Sequence, residues 1–330
     1  MRRLAAASLR FRRAEGSMVS HRAISVVLLL ALASDATTSG AQEIMPEARV
    51  EATIPSAGNA MAVGFDSVWT MNLETRELAR IHPGDNSVTE TPIAGAVGGF
   101  DQSGIAAGEG AVWVPDSGRG MLYKIDPRTN QVVKKLPADL PSRAKGIGAG
   151  GGSVWAITGA SARALKRYSA ETGIEEATVA LPSLGTGIAV AFGSVWITGT
   201  GNDELYRVDP ATNQIAATIE LRSSPRMLAA GEDSIWVFND GDGTVQRIDG
   251  KSGKVVATIE TGTVGTGTID VGGGFVWVAT HAVPIIKIDP RTNAVRGKFR
   301  IETSEYSSIR FAFGSLWVSG GAVRRIKPPE

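Results

Sequence analysis

A seven-bladed β-propeller is the fold this sequence predicts, and three observations predict it. Its seven tryptophans recur at Trp69, Trp113, Trp155, Trp196, Trp236, Trp277 and Trp317, spaced by 44, 42, 41, 40, 41 and 40 residues. A period of roughly 40 to 50 residues marks one supersecondary unit repeated so that neighbours share a core. Each unit reads as four short strands. The last unit lacks its fourth strand, and a stretch near the N-terminus matches the missing one.

The chain begins with a segment that is not fold. Basic residues precede an apolar run, Ala23 to Ala33, and then a small polar stretch ends at Ser39-Gly40-Ala41. That order describes a secretory signal peptide, residues 1–41, with Met18 an alternative start. The run is too short for a transmembrane helix, and no later run approaches the needed length. An exported protein, periplasmic or extracellular, is therefore expected, with residues 42–330 forming a single domain. Removing residues 1–41 leaves 28 basic and 31 acidic groups, a net charge of −3. The basicity belongs to the leader, so nucleic acid and anionic membrane surfaces are not expected partners. With no cysteine in the chain, disulfides, thiolate chemistry and cysteine-ligated metals are excluded.

The unit around Trp196 shows how a blade is written. Strand A is predicted at Gly187 to Ala191, B at Ser194 to Thr198, C at Leu205 to Asp209 and D at Gln214 to Leu221. The C–D turn reads Asp-Pro-x-Thr-Asn three times, at 126–130, 209–213 and 289–293. Proline presets φ, the aspartate bonds the backbone two residues on, and asparagine tolerates the left-handed position. The last unit offers A at Ile309 to Phe313, B at Ser315 to Ser319 and C at Ala322 to Ile326. A strand at about 48–54 completes it, which closes the ring and removes the free edge of an open array.

The segments Gly-x-x-Val-Trp-Val and Val-Asp-Pro-x-Thr-Asn resemble YVTN-type repeats and the related streptogramin-lyase-like (virginiamycin B lyase-like) propellers, over essentially all of 48–327. The lyase resemblance implies a histidine in a Pro-His-Gly segment at the start of strand A and magnesium-binding glutamates three residues after the tryptophan. Here the first column contains no histidine. The second reads Asn72, Asp116, Thr158, Gly199, Asn239, Thr280 and Gly320, with Asp116 its single acid. The resemblance thus carries the fold further than the activity.

The repeat is its own control: residue types found in every blade are structural, and departures are candidates. The tryptophans recur in every blade and are read as packing residues. Seven residues before each tryptophan stand small residues, until Asp270 and Arg310 take that place in adjacent units. Opposite charges there should pair. Ten residues before, at the mouth of strand A, Lys145 and Arg226 suggest a cationic rim able to hold a carboxylate or phosphate. His281, in the B–C loop of the sixth unit, is the one histidine placed to act as an acid or base.

The expectation is a non-catalytic module that binds a small anionic molecule or a protein partner. It would do so through the face carrying the D–A and B–C loops, with Lys145, Arg226, Arg310, Asp270 and His281 as contacts. No cofactor and no metal site is expected on this reading. The alternative is a lyase- or lactonase-like enzyme at the channel mouth, with His281 and Asp116 as catalytic candidates and Mg or Ca as the required ion.

Overall fold

A computed structural model describes residues 45–330 apart from 57, 59, 73–74, 94–103, 142–145 and 302–307. The expected signal peptide lies outside the described residues. Residues 44–330 form one compact unit. It consists of seven four-stranded antiparallel sheets, six built from four consecutive strands each. In the blade around Trp196 (blade 4) the strands are A Gly185–Ala191, B Ser194–Gly199, C Glu204–Asp209 and D Gln214–Glu220. Strand A begins two residues earlier than predicted, and the extra length contains a register shift between Gly185 and Ile188, a bulge that a periodic pattern does not reveal.

Blade 7 is completed as expected. Its own strands Ser308–Ala312, Ser315–Ser319 and Val323–Ile326 accept Val50–Ile54 as the outer strand, with Ile54 opposite Val323. Residues 48–49 fall outside that strand, and the Ala48 amide instead donates to the Arg300 carbonyl at 2.8 Å.

The core lies between blades rather than within one. Trp69 and Leu78 of blade 1 pack with Ile105, Val112 and Tyr123 of blade 2. Strand B is sandwiched on both faces, so Ser194–Gly199 is buried throughout, whereas outermost Gln214–Glu220 alternates exposed and half-buried positions. All seven tryptophans are at most 1% exposed, which makes them packing residues, as expected.

Each tryptophan also carries a cation on the neighbouring strand C. Trp69 pairs in register with Arg80, Trp236 with Arg247 and Trp277 with Lys287, and the cations lie 5.1 to 5.7 Å from the indole centroids in all seven blades. The same cations then reach across to the next blade's C–D turn. Arg80 donates to the Pro127 carbonyl, Lys124 to Ala170, Arg167 to Pro210 and Arg207 to Lys251. Arg247 donates to Pro290, Lys287 to Pro329 and Arg325 to Pro83. Seven staples thus run round the ring and return to blade 1. In blade 7, Pro329 near the C-terminus stands in for the missing turn. A charge-assisted hydrogen bond is about twice as strong as a neutral one, and a stacked cation adds about 0.5–2 kcal/mol.

Candidate functional site

The D–A and B–C loops share the face opposite these staples. On that face a threonine ladder fixes the mouth of blade 5 to blade 4. Thr186 Oγ1 lies 2.9 Å from Thr198 Oγ1, Thr198 donates to the Arg226 carbonyl at 2.7 Å, and Thr200 donates to the Pro225 carbonyl at 2.7 Å. The backbone beneath Arg226 is therefore held from the neighbouring blade. Pro225 pairs with Asn239, and a register shift between Pro225 and Met227 sets Arg226 in a bulge beside the end of strand B. Its guanidinium stands 3.7 Å from the Asp240 carboxylate, with the side chains 31% and 11% exposed. Arg226 Nε is buried and meets no acceptor among the described residues.

Asn239 is wholly buried. Its amide nitrogen donates to Thr244 Oγ1 at 2.9 Å and Gln246 Oε1 at 3.1 Å, which fixes the amide's orientation and leaves Oδ1 without a donor among the described residues. Gln246 Oε1 also accepts the Arg222 backbone N–H at 2.7 Å, and the Arg222 side chain bonds Asp242 at 3.0 Å. An acceptor left bare in a buried position costs about 1–3 kcal/mol. Arg226 Nε, on the adjoining strand of the same blade, is a second buried polar atom without a partner among the described residues.

Blades 6 and 7 extend the polar strip along their inner strands. Thr268 and Asp270 share one face of Gly267–Gly272, and Ser308 and Arg310 share one face of Ser308–Ala312. The Thr268 and Ser308 hydroxyls are buried and unpartnered among the described residues. Asp270 Oδ2 accepts the Phe311 backbone N–H at 2.7 Å, so it reaches across to the inner strand of blade 7. Arg310 Nη1 donates to the Ile309 carbonyl at 2.9 Å. Burial pushes the Asp270 carboxyl above the usual range, opposed by the Arg310 charge and by the Phe311 and Val271 N–H groups. Burial likewise lowers Arg310, opposed by Asp270. The two groups are thus electrostatically coupled across the seam between blades 6 and 7. Sequence columns showed Asp270 and Arg310 but missed Thr268 and Ser308. The signal was present two residues earlier, where Ala, Gly and Met in five blades give way to Thr and Ser.

The other candidates are dispersed. His281 is exposed in the B–C turn of blade 6. Asp116, wholly buried at the end of strand B of blade 2, accepts the Tyr123 hydroxyl at 2.6 Å and pairs with Arg119 at 3.4 Å. Lys145 lies outside the described residues. The magnesium or calcium of the enzyme alternative needs several hard oxygen ligands together. Among the described residues no three His, Asp or Glu side chains gather in one place.

Comparison with known proteins adds a family to this geometry. A model for glutamine cyclotransferase matches residues 104–272, just over half of the chain. The chain belongs to the glutamine cyclotransferase family. The matched stretch of this cyclotransferase-family protein runs from the inner strand of blade 2 to that of blade 6 and includes Arg226, Asn239 and Asp270. No curated protein matches the chain. Among solved structures it is similar to a streptogramin B lyase, with a TM-score of 0.69, 16% identity and 83% of this chain covering 94% of that one. It is also similar to virginiamycin B lyase from Staphylococcus aureus, with a TM-score of 0.70, 17% identity, and 83% of this chain covering 96% of that one. At those identities the likeness shows the propeller fold alone. It agrees with the lyase-like propeller resemblance read from the repeats, whereas the cyclotransferase family was not read there.

Proposed function

We propose that the protein is an exported propeller that binds a small anionic molecule at the mouth formed by Arg226, Asn239 and the inner strands of blades 6 and 7. The observation that carries this reading is that two buried polar atoms, Arg226 Nε and Asn239 Oδ1, lack partners among the described residues at the same end of adjoining strands in blade 5. A carboxylate that also bears a hydrogen-bond donor satisfies both at once, the anion facing Arg226 and the donor facing Asn239. Thr268 and Ser308 supply further hydroxyls, and no step requires a divalent ion.

A thermal-shift screen of the full chain against small carboxylates, amides and phosphates tests it. Occupancy at a hundred times Kd adds roughly 2.7 kcal/mol of stability. The stabilisation should disappear in Arg226→Met and fall at least tenfold in affinity in Asn239→Leu. Ligand stabilisation retained in both variants would overturn the assignment.

Family membership favours a second reading, in which the bound molecule carries a glutamine that the protein cyclises. The glutamine's free α-amine would attack its own side-chain amide carbonyl, forming the ring C–N bond and breaking the bond to the amide nitrogen, which leaves as ammonia and needs a proton donor. Asp270, a carboxyl raised by burial, is the chain's candidate for that donor. Ammonia release from a glutaminyl peptide, absent in Asp270→Asn, is the expected result. No release by the wild-type chain returns the reading to binding alone.

A further inference from the structure

The D–A loops that enter blades 4, 5 and 6 stand one repeat apart, and the same register in them holds Leu184, Ser224 and Val264. Among the described residues eight large apolar side chains are exposed, and only Leu184 (37%) and Val264 (65%) belong to D–A loops. The others lie on outer strands or in the A–B and C–D turns. Both loop residues are tied to the backbone that carries Arg226. On one side the Thr200 N–H donates to the Leu184 carbonyl at 3.0 Å, and the Thr200 hydroxyl donates to the Pro225 carbonyl at 2.7 Å. On the other, the Gly265 N–H donates to the Asp240 carbonyl at 2.9 Å, and the Asp240 N–H donates to the Ser224 carbonyl at 3.0 Å. Leu184 therefore flanks residues 224–226 from the blade 4 side, and Val264 flanks them from the blade 6 side.

Single apolar residues on a surface are ordinary. Here two of them bracket a guanidinium whose side chain is itself 31% exposed, with serine in the loop between. Charge lies at the centre and apolar area on either side. An unbranched acid extends from its carboxylate in one direction only. An N-acylated amino acid branches at the carbon next to the carboxylate, so its side chain and its acyl group can each cover one apolar residue. On the basis of the anion site proposed above, we propose that the ligand is an N-acylated aliphatic amino acid with a free carboxylate. The carboxylate faces Arg226, and the apolar branches cover Leu184 and Val264.

Titration of the methyl-labelled full chain with N-acetylglycine, N-acetylalanine, N-acetylvaline and N-acetylleucine tests it, because the carboxylate and N–H stay constant while the side chain grows. Covering a methylene fully raises affinity about fourfold, and about twofold where one side stays in water. The series should therefore gain at least about tenfold from glycine to leucine, with saturable shifts at the Leu184 and Val264 methyl groups. N-acetylleucinamide keeps the apolar body without the charge and should bind at least about tenfold more weakly than N-acetylleucine. Tighter binding of acetyl-Gly-Gly-Leu assigns the residue to the C-terminus of a polypeptide, and equal or weaker binding assigns it to a small molecule. Leu184→Ser combined with Val264→Ser alters only exposed side chains, so the variant should fold. It should lose more affinity for N-acetylleucine than for N-acetylglycine, cutting the ratio below about threefold. A flat series whose binding is still lost in Arg226→Met, or a ratio unchanged in the serine variant, overturns the ligand class and leaves the anion site standing. Absence of binding by every member overturns both.

Discussion

Replacing Arg247 by methionine tests the stapled ring at a single link. The guanidinium donates from Nε to Ser234 Oγ at 2.8 Å and from Nη1 to the Pro290 carbonyl at 2.6 Å, and lies 5.1 Å from the Trp236 centroid. Hydrogen bonds from a charged group contribute about 1.5–3 kcal/mol each. Arg247 is half-buried, so the lower figure applies, giving about 3 kcal/mol for two bonds. The stacked cation adds about 0.5–1 kcal/mol, and methionine preserves most of the aliphatic packing. Arg247→Met should therefore cost about 3–4 kcal/mol. Arg247→Lys keeps the charge over the indole and a bond to the next blade, as Lys124 does naturally with Ala170. It loses the Ser234 bond, about 1.5 kcal/mol, and the longer contacts to Asn293 Oδ1 at 3.2 Å and the Glu232 carbonyl at 3.4 Å. Guanidinium unfolding followed by tryptophan fluorescence reads both variants, with equal m-values as the check that midpoints report stability. A loss under about 1 kcal/mol for methionine, or equal losses for lysine and methionine, would refute the staple as an energetic link.

Two further outcomes are expected. Because burial raises Asp270, the folded chain holds that proton at pH values where the unfolded chain has lost it. Its contribution to stability is fully present below the ordinary carboxylate range and is lost as pH rises through the raised folded value. Asp270→Asn should flatten this decline in melting temperature above about pH 4, and an unchanged slope in the variant would remove Asp270 as its source. Deleting Pro328–Glu330 takes the acceptor from Lys287, which is 7% exposed. The truncated chain should lose about 1–3 kcal/mol in calorimetry, and a melting profile like that of the full chain would show that the terminal staple contributes nothing.

Much of the architecture was legible because the tryptophan keeps nearly constant spacing, and because the final unit visibly lacks a strand that the N-terminal segment supplies. The staples were not legible, for a definite reason. Their cations follow the tryptophans by 11, 11, 12, 11, 11, 10 and 8 residues. The B–C loop varies in length, so the cations share no fixed column although they share one place in space. The candidate site was half legible. Asp270 and Arg310 stood out as charges in a column of small residues, and Arg226 as a charge at a strand mouth. Asn239 did not, because its interest lies in which of its two amide atoms finds a partner, and that depends on Thr244 and Gln246. His281 and Asp116 were conspicuous by residue type, yet Asp116 is already engaged by Tyr123.

The outer strand of blade 7 has a consequence for the order in which the molecule becomes itself. Glu51 and Ser315 meet across a separation of 264 residues, so this pairing waits until almost the whole polypeptide is present, and such distant contacts form slowly. Until then Ser308 and Arg310 belong to a three-stranded remnant with an open edge. Loss of the N-terminal strand would therefore leave blade 7, whose inner strand carries Ser308 and Arg310, as three strands with an open outer edge.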